Sequence, residues 1–269
     1  MKPTDYTLCT EEFKQDYCQK SYWNEQTLGQ CLREWAAEYG NKTALIDGEL
    51  RLSYHNLNQK ADKLASGLFQ LGIKSGDRVI LQMPNSAHFV VVLFALFRIG
   101  ALPVLTMPAQ REKDISDLCT LAEPVAYIAA DQFLGFDYLK LAETLKHKHP
   151  SLKYIIMDGQ AGCHTSLAEL EVSPISFSEP NPFEPALLLL SGGTTGTPKL
   201  IPRTHADYAY NAFASAELCQ LNAETVYLAA LPIAHNFPLA CPGILGTLSV
   251  GGSVVMARTP GNDEAFPLN

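Results

Sequence analysis

The chain has 269 residues, 47% of them hydrophobic and 18% charged, enough to bury a sizeable core and unlike a disordered segment. Its net charge is −8 and no basic stripe appears, which argues against nucleic acid as a partner. The polar start MKPTDYTLCTEEFKQDYCQKSYW has no apolar signal core, and the apolar run Phe89 to Phe97 is too short to span a bilayer and stops at Arg98. Seven scattered cysteines (Cys9, Cys18, Cys31, Cys119, Cys163, Cys219, Cys241) show no C-x-x-C pair and no zinc spacing. These features predict free thiols, no membrane partner and a cytoplasmic location.

Leu28, Cys31, Leu32 and Trp35 recur at helical spacing, and Gly40 stops that helix. Ala44 to Ile46 reads as a short strand turned by Asp47-Gly48. Ser53 is placed to cap a helix carrying Leu57, Ala61, Leu64, Ala65, Leu68 and Leu71, with Gly72 at its C-terminus. Val79 to Leu81 is a strand. Asn85 or Ser86 caps a helix from Ala87 to Arg98 that is apolar nearly all round and therefore buried. Gly100 ends it, and Leu102 to Leu105 is the next strand.

Helical spacing returns at Ile115, Leu118, Cys119 and Ala122, followed by a strand at Val125 to Ala129, a helix near Tyr138 to Lys146 and a strand at Tyr154 to Ile156. This alternation predicts an α/β fold with a parallel sheet covered on both faces. The stretch 159–185, with Gly159, Gly162, Pro174, Pro180, Pro182 and Pro185, breaks the rhythm and reads as a surface linker. His147, His149, Cys163 and His164 lie near it; their spacing fits no metal site and favours solvated side chains, so no residue is assigned as a metal ligand.

Leu187 to Leu190 reads as a fully buried strand. It runs into Ser191, Gly192, Gly193, Thr194, Thr195, Gly196, Thr197, Pro198 and Lys199. The glycines let the backbone approach a ligand, successive N–H groups can form an anion-binding concavity, and Lys199 adds a positive charge. A polar hairpin turn is the plainer alternative. Four hydroxyls, three glycines, a lysine and no acid in nine residues favour a polyphosphate site. It is not a Walker A loop, because Thr197 and Pro198 separate Gly196 from Lys199, and Leu200-Ile201-Pro202 is extended rather than helical. Tyr208, Ala212, Phe213, Ala216 and Cys219 mark a helix, Val226 to Ala230 and Val254 to Met256 are strands, and Asn262 to Glu264 looks like a helix start.

Ser191 to Lys199 matches throughout the phosphate-binding signature of the adenylate-forming superfamily, which includes acyl-CoA synthetases, luciferases and nonribosomal peptide adenylation domains. The segment YLAALPIAHNFPLACPG, Tyr227 to Gly243, resembles the acid-binding segment of the aryl acid-activating branch. Glu11-Glu12-Phe13, Tyr22-Trp23, Leu52-Ser53-Tyr54, Gly76 to Val79 and Gly100 to Val104 match further family signatures. The resemblance implies layered αβαβα parallel sheets flanked by helices. It also implies ATP and Mg2+ as cofactors, an acyl-AMP intermediate with release of pyrophosphate, and transfer of the aryl group to a carrier domain in siderophore synthesis.

By the same resemblance, Ser191, Gly192, Gly193, Thr194, Thr195, Gly196, Thr197 and Lys199 bind the ATP phosphates. Asn236 binds the ortho-hydroxyl of an aryl acid, Phe237 lies against its ring, and His235 sits by the carboxylate and α-phosphate in a catalytic role. An ordinary polar turn before Pro238 is the alternative for His235 and Asn236. Cys241 stands where 2,3-dihydroxybenzoate enzymes of this branch carry serine and salicylate enzymes carry cysteine. A thiol is a weak partner for a 3-hydroxyl, and salicylate has none. The stretch Ala240 to Leu248 looks most like salicyl-AMP ligases of the yersiniabactin type. A small core cysteine, a 2,3-dihydroxybenzoate-AMP ligase and a non-catalytic remnant that binds an aryl acid or a partner remain open at this point.

Family members are about twice this length. The expectation is therefore an incomplete N-terminal adenylation domain that does not turn over alone. It would comprise a first α/β subdomain region at 1–158, the linker at 159–185, and the phosphate loop with the start of the acid-binding subdomain at 186–269; the C-terminal domain is absent.

Overall fold

The computed structural model of the chain describes residues 9–191, 199–259 and 261. Its first helix, α1 (Glu11–Gln19), was not visible in the polar N-terminal pattern and buries none of its residues. In α2 (Leu28–Tyr39), Thr27 and Gln30 form a capping box, and Leu28, Cys31, Leu32 and Trp35 are buried as their spacing predicts. β1 (Thr43–Asp47) and β2 (Leu50–Ser53) form a hairpin. α3 (Tyr54–Leu71) starts at Ser53, whose hydroxyl accepts the Asn56 N–H at 3.1 Å, and ends at Gly72.

β3 (Arg78–Gln82) leads into α4 (Ala87–Ile99), which Ser86 caps by accepting the Phe89 N–H at 3.1 Å. β4 (Leu102–Leu105), α5 (Glu112–Ala122), β5 (Ala126–Ala130), the hairpin β6 (Gln132–Phe133) and β7 (Phe136–Asp137), α6 (Tyr138–Lys148) and β8 (Tyr154–Asp158) follow. β9 (Thr165–Ser166), β10 (Pro185–Leu190), β11 (Leu200–Thr204), α7 (His205–Leu218), β12 (Val226–Ala229), α8 (Asn236–Ala240), α9 (Gly243–Ser249) and β13 (Ser253–Met256) complete the described chain. The helix start expected at Asn262 to Glu264 lies outside the described residues.

Besides the two-stranded β6–β7 hairpin, the strands form two largely parallel sheets flanked by helices, the layering that the family resemblance implies, where the alternation of elements alone predicted one sheet. The larger runs β11-β10-β4-β3-β5-β8-β9 and is parallel except for the β10–β11 pair. The smaller runs β12-β13-β1-β2 and is parallel except for the β1–β2 hairpin. Side-chain alternation explains the near-continuous apolar strands. On one face of the larger sheet Ile80, Val104, Tyr127 and Leu188 pack with α5 and α6; on the other Val79, Leu81, Ile128, Leu187 and Leu189 pack with α4. Helix α4 touches β4 of the larger sheet and β1 of the smaller, so it fills the layer between them. All its residues but His88 are buried, as its all-round apolarity predicts. Its one cation, Arg98, is fully buried against Asp62 and Asn58, and burial lowers its pKa to about 9.

The stretch 159–185 is not simply a surface linker, and it does not separate the sheets. β9 pairs in parallel with β8 through Ile156 and Thr165. The following 3-10 turn, Leu167–Leu170, buries both leucines beside α3. Gly67 of α3 makes this possible, since a Cβ there would lie 1.9 Å from the Leu170 carbonyl oxygen. Both sheets take strands from each side of the stretch because β10 pairs with β4 and β13 with β1. None of the described helices is long and apolar enough to cross a membrane. All seven cysteines are free.

His205, the first residue of α7, is buried and accepts the Leu28 N–H on Nδ1 at 3.2 Å, so its proton sits on Nε2. Burial lowers its pKa to about 3, against about 6.5 in an unfolded chain. The unfolded state therefore takes up the proton first. His205 costs no stability above about pH 6.5, and stability is lost as pH falls from there toward about 3. His88 is shifted the opposite way by its hydrogen bond to Asp158, and this contribution weakens as pH rises instead. Urea midpoints measured from pH 7 to pH 4 should fall for the parent and less steeply for His205→Gln. The two slopes should differ by at most about 1.4 kcal/mol per pH unit, and His88, common to both proteins, cancels in the comparison.

Candidate functional site

The site segment is launched by one buried amide. Asn85, in the loop after β3, donates from Nδ2 to the carbonyls of Ala229 (2.8 Å), Leu231 (2.9 Å) and Ala257 (3.0 Å), and its Oδ1 accepts the Ile233 N–H at 2.9 Å. The exits of β12 and β13 are thereby tied to the exit of β3. The sequence offered Asn85 as a helix cap; Ser86 takes that role, and Asn85 is a clamp between the sheets.

Beyond the clamp, the His235 N–H returns to the Pro232 carbonyl at 3.0 Å, and His235 becomes the N-cap of α8, its Nδ1 accepting the Phe237 N–H at 3.3 Å. Both His235 and Phe237 lie on the exposed side of this short helix, Phe237 at 57% exposure. Asn236 and Cys241 turn toward each other, with Asn236 Nδ2 3.2 Å from Cys241 Sγ. The Asn236 Oδ1 is buried without a partner among the described residues. Gly243 closes the segment at φ +49°; a Cβ there would lie 2.1 Å from the Pro238 carbonyl oxygen, so only glycine fits without movement.

Helix α7 supplies two residues that sequence reasoning did not place in the site. Asn211 Nδ2 donates to the Ala240 carbonyl at 2.7 Å and to Cys241 Sγ at 3.2 Å. Tyr208, one turn earlier, is fully buried with its hydroxyl unpartnered among the described residues, and burial raises its pKa well above the usual phenol value. The available signal was an amide three residues from Tyr208 on the apolar helix YAYNAFA.

Of the expected phosphate-binding residues, only Ser191 and Lys199 are described. They close the mouth of the β10–β11 hairpin: the Ser191 N–H donates to the Lys199 carbonyl at 2.9 Å, and the Lys199 N–H to Ser191 Oγ at 3.0 Å. Gly192, Gly193, Thr194, Thr195, Gly196 and Thr197 lie outside the described residues. Among those that are described, no three His, Cys, Asp or Glu side chains group as metal ligands. A separate cavity of about 240 Å³ lies beside Asn85, lined by Met107, Arg111, Tyr138 and Pro232 among others, and none of the described residues of the expected site lines it.

An AMP-binding enzyme family profile matches residues 32–268. The chain is 46% identical over 263 residues to a 2,3-dihydroxybenzoate-AMP ligase of Bacillus subtilis, covering 98% of this chain and 49% of that protein. It is 45% identical to a salicyl-AMP ligase / salicyl-S-ArCP synthetase of Mycobacterium tuberculosis, covering 93% of this chain and 46% of that protein. The apo structure of Mycobacterium smegmatis MbtA superposes with a TM-score of 0.92 at 45% identity, over 97% of this chain and 49% of that one. The chain thus spans about half the length of the curated relatives it matches.

Replacing Asn85 with alanine removes a side-chain partner from three carbonyls and one N–H at once, leaving only Ala229 with another donor, the Ala257 N–H. Asn85→Ala should lower the unfolding free energy by about 2–4 kcal/mol, read from urea denaturation. Asn85→Asp, which has the same shape but no N–H donors, should lose nearly as much.

Proposed function

Because the chain belongs to the AMP-binding enzyme family, we propose that it carries the phosphate- and acid-binding portion of an aryl acid-AMP ligase. In this reading a carboxylate oxygen of the acid attacks the α-phosphorus of ATP. The bond to the leaving pyrophosphate breaks and an aryl-AMP mixed anhydride remains; the thiol of an aryl carrier domain in siderophore assembly then attacks its acyl carbon, losing the thiol proton, and the acyl–phosphate bond breaks to release AMP. The names of the relatives, which act on 2,3-dihydroxybenzoate or salicylate, support this class of substrate.

The observation that carries the reading is the pairing of Asn236 with Cys241 at 3.2 Å, with the Asn236 acceptor buried and unused. A buried amide with a spare acceptor suits an ortho-hydroxyl, which can donate to it. His235, at the exposed N-terminus of α8, is the candidate to meet the carboxylate and α-phosphate, and Phe237 the candidate wall for the ring. Ser191 and Lys199 would hold the ends of a loop whose hydroxyls, N–H groups and lysine receive the phosphates. Magnesium would offset phosphate charge when bound; no ligand for it is assigned. Seven free cysteines suit the reducing cytoplasm.

Between the two acids, Cys241 favours salicylate, because a thiol pairs poorly with a 3-hydroxyl and a buried hydroxyl left unpaired costs about 1–3 kcal/mol. The 46% identity to the Bacillus subtilis ligase favours 2,3-dihydroxybenzoate as the second reading. Acid-dependent ATP–pyrophosphate exchange, run on this chain and on any longer form of it, tests both. Salicylate should exceed 2,3-dihydroxybenzoate and benzoate, and Cys241→Ser should move the preference toward 2,3-dihydroxybenzoate by about tenfold. Unchanged preference in Cys241→Ser would favour the second reading, and no exchange with any aryl acid would overturn the assignment.

A further inference from the structure

Cys241 Sγ receives two amide N–H groups, from Asn211 and Asn236, each at 3.2 Å. The two amides are held differently. Asn211 stands on α7 and is fixed by a second, shorter bond of 2.7 Å to the Ala240 carbonyl. The Asn236 side chain has no such anchor among the described residues, where its donor rests on the sulfur and its buried acceptor is unpartnered. Sulfur is a weak acceptor, so the Asn236 contact is easily exchanged for a better partner.

We propose that Asn211 is a specificity-determining positioning residue. It keeps the Cys241 thiol in place, so that the Asn236 amide is free to turn to the hydroxyl of an ortho-hydroxylated aryl acid. This rests on the reading of the site as an aryl acid pocket. Asn211 touches the sulfur and the end of α8, not the acid, and acts through them. When the acid arrives, its hydroxyl donates to the unused Asn236 Oδ1, and as the amide turns toward the acid the thiol retains the Asn211 donor, so the sulfur is not left unpaired. Without the Asn211 donor, the thiol competes with the acid for Asn236, and the Ala240 carbonyl loses its side-chain partner.

Two measurements test this. The first uses the parent protein and side-chain amide NMR signals during titration with salicylate and then benzoate. Asn236 should shift with salicylate and much less with benzoate, while Asn211 holds its position in both. An Asn211 signal that moves as far as that of Asn236, or an Asn236 signal that ignores the hydroxyl, would overturn the proposal without any variant. The second measures affinity for the two acids by calorimetry in the parent, Asn211→Asp and Asn211→Ala, on the chain and on any longer form of it. The salicylate-to-benzoate ratio should fall by about fivefold in both variants, the worth of one hydrogen bond, with benzoate affinity little changed. A parent that prefers salicylate and folded variants that keep the same ratio would overturn the role of Asn211 and leave the acid pocket standing. A parent that binds no aryl acid would overturn the pocket itself, and the proposal with it.

Discussion

The architecture turns on the side chain of Asn85. Where parallel strands end, carbonyls run out of ladder partners, and in this molecule three carbonyls from the exits of β12 and β13, those of Ala229, Leu231 and Ala257, meet at one buried point, of which Ala229 alone also receives the Ala257 N–H. A single amide reaches all three with its two N–H groups, and its own oxygen accepts the Ile233 N–H. Buried polar groups of this kind are stabilising only when fully paired. The clamp joins two sheets that share no ladder, and it fixes the origin of the segment that ends in Cys241.

Between the sheets, α4 imposes the second constraint. A helix buried everywhere but at His88, which pairs with Asp158, has almost no polar face to orient it, so its ends must: Ser86 at one and Gly100 at the other, with Arg98 held against Asp62 and Asn58 from α3. The burial that depresses the pKa of Arg98 also makes that pairing obligatory, because an unpaired charge in such a position is far costlier than a paired one. Position along the sheet normal is thus set by packing, and position along the helix axis by caps and the side-chain pairs of His88 and Arg98.

Much of this could be read from residues in order. Ser53, Ser86, Gly72 and Gly100 announced helix ends because capping is local chemistry, and α2, α3 and α4 announced themselves by periodicity. α1 did not, since a helix with no buried residue carries no apolar stripe. β9 has two residues and α8 five, with Pro238 inside it, too few for any period to register. The partition into two sheets was legible only through the family resemblance, because strands buried on both faces look alike whichever sheet they join. In the site, Asn236 and Cys241 were named through family resemblance, and the structure brings them together. Asn211 was invisible because its partners lie 29 and 30 residues away on another helix.

The order of strands in the smaller sheet has a consequence for biosynthesis. β13 sits between β12 and β1, and Leu45 pairs with Val254, about 200 residues later in the chain. On a ribosome adding about 5–20 residues per second, the β1–β2 hairpin therefore waits some 10–40 s for its neighbour. During that interval the edge of β1 presents unpaired N–H and C=O groups, the kind of template on which nascent chains join one another. The larger sheet has no comparable wait at its centre, where β3, β4, β5 and β8 emerge within one continuous stretch. Nascent-chain quality control would meet this molecule with one sheet centre formed and one edge still open.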